Sequence, residues 1–211
     1  MSTLGVKKTL NLHKYRVRVD EIVLNWKIII PVIFALAGLI AGCMYAKGEG
    51  ALYQKVTAFF LQSVVRQAVT SLVPYALRCL LVPTLFAGLL FFFGLSACGG
   101  FIANIFPFIF TFFTGMISYY MYLNYTLKGL AYCVIIIFPY AVFSLVAIIL
   151  CTCESINMSE FVLRSISKSN KFSDYGFTAY YRSFLKNCTY ILLAAGIKIV
   201  LEYLFGSLFV F

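Results

Sequence analysis

Residues 130–151, LAYCVIIIFPYAVFSLVAIILC, contain no Asp, Glu, Lys or Arg. About twenty apolar residues are what an α-helix needs to cross a hydrocarbon core roughly 30 Å thick. Lipid offers the backbone no hydrogen-bond partner, so a segment of this kind must be helical. Four further segments read the same way, at about 28–45, 79–97, 101–122 and 189–211. The chain is therefore expected to be an all-α integral membrane protein. Its single transmembrane domain, 1–211, is a bundle of about five transmembrane helices.

Composition agrees. Of 211 residues, 63% are hydrophobic and 11% charged, whereas soluble domains carry roughly 25% charged residues. The net charge of +10 is spread along apolar sequence. That distribution fits the bias that orients membrane helices better than it fits a nucleic-acid surface. The seven cysteines sit mostly in apolar runs without disulfide-framework spacing, and read as small buried hydrophobes.

Basic residues set the expected orientation. Lys7, Lys8, Lys14, Arg16, Arg18 and Lys27 precede the first span, and Arg164, Lys168, Lys171, Arg182 and Lys186 follow the fourth. The opposite side has Lys47, Lys55, Arg66, Arg78 and Lys128, so the balance is eleven to five. The positive-inside rule puts the N-terminus and the segment 153–188 in the cytoplasm and the C-terminus outside, in a multi-pass protein of the cell membrane. Ile40-Ala41-Gly42-Cys43 has the small-residue pattern of a lipoprotein cleavage box. The 27-residue polar lead is too long for an ordinary signal peptide, so an uncleaved anchor is expected.

Between the first two spans, about 51–73, Leu52, Val56, Phe59, Phe60, Val64 and Leu72 recur at helical spacing, with Lys55, Gln62, Arg66 and Thr70 on another face. This predicts an extracytoplasmic amphipathic helix. It would rest on the bundle or dock an outside partner. A cytoplasmic helix is expected over 157–167, started by a capping box of Asn157 and Glu160. Its Arg164, with Lys168 and Lys171 beyond, would reach anionic headgroups.

Catalytic apparatus is not recognisable. The one histidine, His13, is remote from every cysteine, so a histidine-based triad or a two-histidine zinc site cannot be assembled. Cys151-Thr-Cys153 lacks further ligands, and Cys98-Gly99-Gly100 lacks the lysine and hydroxyl of a phosphate loop. These glycines read instead as a tight hairpin turn. No metal, cofactor or enzymatic activity is expected. Pro31, Pro83, Pro107 and Pro139 fall within four spans, as kinks or as the broken helices of a transporter.

Two features stand out. Gly38 and Gly42, one turn apart and flanked by Ala35, Ala37 and Ala41, form a small-residue face for close helix packing. The approaching helix would belong to this bundle, to another membrane protein or to a second copy in a homo-oligomer. Lys198 and Glu202, four residues apart in the last span, are an intramembrane charge pair, and such residues are functional-site candidates.

The segment from Gly115 through Lys128-Gly129-Leu130 to Phe138-Pro139-Tyr140-Ala141-Val142-Phe143, with Leu201-Glu202-Tyr203, resembles the stage II sporulation protein M family of five-span membrane proteins. Tyr140 and Ser144 stand where that family commonly has a polar and then an acidic residue. The resemblance implies a non-enzymatic scaffold acting in engulfment during sporulation. It would recruit peptidoglycan hydrolases, the stage II sporulation proteins P and D. The alternative is a membrane subunit of a transporter or permease that lacks its own ATPase.

Overall fold

The computed structural model describes residues 26–47, 72–166 and 177–205. The N-terminal basic residues with His13, most of the amphipathic segment 51–73, Lys168, Lys171 and the last six residues lie outside the described residues. Everything described is helix or the turns between helices. The elements are α1 (Trp26–Ala46), α2 (Leu72–Gly94), α3 (Gly99–Ala103), α4 (Ile105–Tyr132), a π-helical turn (Cys133–Ile137), α5 (Phe138–Ile166) and α6 (Phe177–Phe205).

Three runs are long and apolar enough to cross a membrane: Trp26–Ala46, Gly99–Ile166 and Phe177–Phe205. The stretch Cys79–Gly94 is a shorter apolar helix. At 1.5 Å per residue the 68-residue run would be about 100 Å long, over three times the hydrocarbon thickness. It folds back on itself at Thr126, whose φ of 48° and ψ of −125° break α4 into two arms. Gly129 is required just after the break, because a side chain there would strike the carbonyl of Met121. The arms then pack together, with Ile117 and Met121 against Tyr132, Cys133, Ile136 and Ile137.

The contacts order the bundle. Thr111 reaches the Ala35 carbonyl, Gly42 faces Phe112, and Ala46 clusters with Met116, so α1 and the first arm of α4 run the same way. Along α2, Cys79 meets Ala195 and Phe91 stacks on Tyr180, so α2 and α6 run oppositely. Lys27, the 95–104 connection, Glu160 and Tyr180 share one end. Ala46, Thr126, Tyr132 and Phe205 share the other.

Several polar side chains are buried within a largely apolar core, and many large apolar side chains are exposed on the outside. The buried polar side chains include Thr111, Ser144, Thr152, Ser155, Ser159, Lys198 and Glu202, whereas Ile33, Leu36, Ile40, Phe92, Val134, Phe138, Leu192 and Leu204 are exposed. An exposed apolar surface on long apolar helices marks a membrane-embedded protein.

Helix ends explain several polar residues. The last carbonyls of α2 have no partner within the helix. Tyr180 Oη donates to the Phe91 carbonyl at 3.0 Å, the amides of Leu95 and Ser96 return to Phe92 and Phe93, and Ser155 Oγ lies 2.8 Å from the Leu90 carbonyl. In the connection, Gly100 N donates to Ser159 Oγ at 2.9 Å, and Ser159 Oγ lies 3.0 Å from the Ala97 carbonyl. A side chain at Gly99 would meet the Phe93 carbonyl, so the turn expected from Cys98-Gly99-Gly100 depends on close backbone approach.

One expectation is overturned. Asn157 and Glu160 do not start a new helix, because α5 runs unbroken from Phe138 to Ile166. They instead bind the first turn of α1: Lys27 Nζ donates to Asn157 Oδ1 at 2.8 Å and to Glu160 Oε2 at 3.0 Å. With the arm after Thr126, this continuous helix is about 60 Å long and extends well beyond any single bilayer core.

Candidate functional site

The inward stripe of α6 is Tyr180, Phe184, Ile191, Ala194, Ala195, Lys198 and Glu202. Steps of three, four and seven keep one face against the bundle. Its first part is apolar and meets Phe86, Leu90, Ala147 and Ile148 in the largest core cluster. Its last two members are charged, and both are buried, Lys198 fully and Glu202 to within 5%.

Each charge has a tyrosine from the opposite helix. Tyr132 Oη donates to Glu202 Oε2 at 2.9 Å. The Lys198 ammonium lies 4.7 Å from the centre of the Tyr140 ring, within cation–π range. Tyr140 is tied in turn to α2, since its hydroxyl donates to the Cys79 carbonyl at 2.9 Å. Lys198 also interacts electrostatically with Cys79 and with Glu202. Ser144, one turn beyond Tyr140, is fully buried as well. The result is a polar node shared by α2, α6 and the long helix after Thr126.

The π turn sets its register. Tyr132 and Tyr140 are eight residues apart, which in an unbroken α-helix would put them about 80° apart around the axis. A π turn absorbs one extra residue and brings that angle to about 20°. Its signature bond is present, from Phe138 N to the Cys133 carbonyl. Pro139 supplies the cause: it has no N–H, and its ring would crowd the carbonyl four residues back, at Ile135. Both tyrosines therefore face α6, Tyr132 towards Glu202 and Tyr140 towards Lys198, as antiparallel helices require.

Gly38 and Gly42 lie elsewhere, along α1. A side chain at Gly38 would strike the Phe108 carbonyl, and one at Gly42 the Phe112 carbonyl. Gly115 of α4 presses back on the Leu39 carbonyl and on Cys43, whose thiol lies 3.5 Å from the Gly115 carbonyl. The two glycines thus meet a helix of the same chain, and the structure does not bring them to the charged node. Tyr132 and Cys79 are site residues that sequence reading does not single out, and Tyr140 enters it only at a position compared with the resembled family. Tyrosines beside a proline inside an apolar run are the available signal.

Among the described residues, no group of three His, Cys, Asp or Glu side chains could hold a metal ion. The node can hold charge, and it can tie helices together. Compared with family models, curated proteins and solved structures, the chain matches none.

Proposed function

We propose that the chain is a five-span membrane protein with a cytoplasmic N-terminus and an extracytoplasmic C-terminus, acting as a non-enzymatic scaffold for other proteins. Counting α1, α2, the two arms around Thr126 and α6 yields five traverses. An odd number agrees with Trp26 and Phe205 lying at opposite ends of the bundle. Lys27, Arg164, Arg182 and Lys186 lie towards one end, against Lys47 and Lys128 at the other, which supports a cytoplasmic Lys27 end.

The scaffold reading rests on α1. It attaches to the bundle through one line, Pro31, Ala35, Gly38, Gly42 and Ala46, and turns the rest of its apolar circumference outward. A helix held so narrowly is available to partner helices as well as to lipid. Following the resemblance to the stage II sporulation protein M family, the proposed partners are peptidoglycan hydrolases during engulfment. Affinity purification of the detergent-solubilised protein tests this, with a reporter fused after Phe211 to check topology. Recovery of hydrolases and extracytoplasmic reporter activity support the proposal. A cytoplasmic reporter refutes the five-span count.

A second reading, a permease subunit, is favoured by one observation, the charged node inside the apolar bundle. Copurification of a nucleotide-binding subunit in place of hydrolases would establish it.

A further inference from the structure

Helices α5 and α6 lie antiparallel, and the contact between Tyr140 and Lys198 sets their register. Cys151 comes eleven residues after Tyr140 and Cys188 ten before Lys198. At about 1.5 Å per residue both cysteines lie about 16 Å from that contact, at one level of the bundle. Eleven residues also make nearly three whole turns, which keeps Cys151 on the face that Tyr140 presents to α6. Cys188 falls four residues after Phe184 and three before Ile191, along the edge of the inward stripe of α6. The side chains meet there. Both belong to the largest core cluster, and the two thiols are hydrogen-bonded to each other. Both are free thiols, Cys151 fully buried and Cys188 half-buried. Cys153 turns instead to α1, where its thiol donates to the Lys27 carbonyl at 3.3 Å.

We propose that Cys151 and Cys188 are a redox-reversible pair, closing to a disulfide that staples α5 to α6 when the protein meets a hydroperoxide and reopening with a thiol reductant. Cys188, the more exposed of the two, reacts first. Its sulfur attacks one oxygen of the peroxide, the O–O bond breaks, and the thiol proton leaves with the other oxygen, as water where the oxidant is hydrogen peroxide. Cys188 then carries a sulfenic acid. The Cys151 sulfur attacks the Cys188 sulfur, the S–O bond breaks, and the hydroxyl leaves with the Cys151 proton as water. The two thiols have then given two electrons to one peroxide. Two molecules of a small thiol reverse the step by exchange, becoming a disulfide themselves. Because the bond encloses the chain between α5 and α6, it restrains the unfolded state and stabilises the bundle. The inference is independent of which end faces the cytoplasm and of the partner.

Peroxide treatment of the reduced full chain in lipid vesicles, followed by alkylation of the remaining thiols and peptide mass spectrometry, tests this. A peptide pair joined through Cys151 and Cys188 is expected, and dithiothreitol should separate it. Cys151 and Cys188 both alkylated as thiols, at a peroxide dose that oxidises the exposed Cys98, overturns the proposal. Cys188 joined to Cys153 overturns it too. In Cys151→Ser the same dose should leave Cys188 as a sulfenic acid that dimedone traps, and an unreacted Cys188 thiol there is evidence against the proposed first step. The unfolding temperature of the unchanged protein, which needs no variant to fold, should rise on oxidation and return on reduction. A fall on oxidation would show that the helices must be forced apart or together to close the bond, and the staple would be rejected.

Discussion

Lys27 Nζ and Glu160 Oε2 stand 3.0 Å apart, although Lys27 opens α1 and Glu160 lies near the far end of α5. Arg164 adds a longer contact to the same carboxylate at 3.5 Å. The pair anchors the one helix that is otherwise held by a line of small residues. Glu160 is 41% exposed, so water screens the attraction. A double-mutant cycle with Lys27→Met and Glu160→Gln, read by thermal unfolding in detergent, should show a coupling of about 0.5–1 kcal/mol. Strict additivity would mean that the contact holds nothing.

The glycines of α1 permit a sharper comparison. A methyl at Gly42 meets the Phe112 carbonyl, a backbone atom that cannot move without shifting α4. A methyl at Gly196, on α6, meets nothing within 4 Å. Gly42→Ala should therefore lower stability by about 1–3 kcal/mol, the cost of overpacking. Gly196→Ala should raise it by about 0.5–1 kcal/mol, through the better helix propensity of alanine. Equal effects on unfolding temperature would remove the claim that α1 and α4 need close backbone approach.

Thr126 carries the reversal between the two arms of α4 with a left-handed φ of 48°. A β-branched residue is strained in that region, by about 1–3 kcal/mol, while glycine adopts it freely. Thr126→Gly should raise stability by about 1 kcal/mol after the added chain entropy is set against the relief. Thr126→Val retains the strain and should bring no gain. A loss on Thr126→Gly would show that the threonine side chain itself holds the turn.

Much of this architecture is readable without coordinates, because lipid leaves the backbone few options. A charge-free run such as 130–151 has to be helix, and a chain this apolar has to put its polar side chains inside. Helix ends are less legible. Asn157 and Glu160 have the spacing of a capping box, but helix α5 emerges from its apolar stretch without a reason to stop, and their side chains serve Lys27 instead. The node was half visible. Four-residue spacing puts Lys198 and Glu202 on one face, yet their partners Tyr140 and Tyr132 lie far earlier in the chain, the latter 70 residues from Glu202, and a π turn brings those partners into line. Periodicity taken at 3.6 residues per turn places Tyr132 and Tyr140 on different faces, so no local pattern reveals the pairing.

The last test concerns the charges themselves. A lone charge at the centre of a bilayer costs roughly 2.5–3.5 kcal/mol on insertion scales, and burial of Lys198 and Glu202 in one node offsets that cost only while both are present. Lys198→Met leaves the carboxylate with the Tyr132 hydroxyl as a hydrogen-bond donor, and Glu202→Gln leaves the ammonium with the Tyr140 ring and Cys79. Each single change should lower stability by about 3 kcal/mol, as removal of one member of a buried pair does. The double change removes both charges and keeps the volume, and the new side-chain amide can still accept from Tyr132. It should therefore cost less than the sum of the two by at least about 1 kcal/mol. Thermal unfolding in detergent of the three variants beside the unchanged protein measures this. Losses that add across the three would show that Lys198 and Glu202 are each satisfied separately by their tyrosines, and the node would then be two independent contacts.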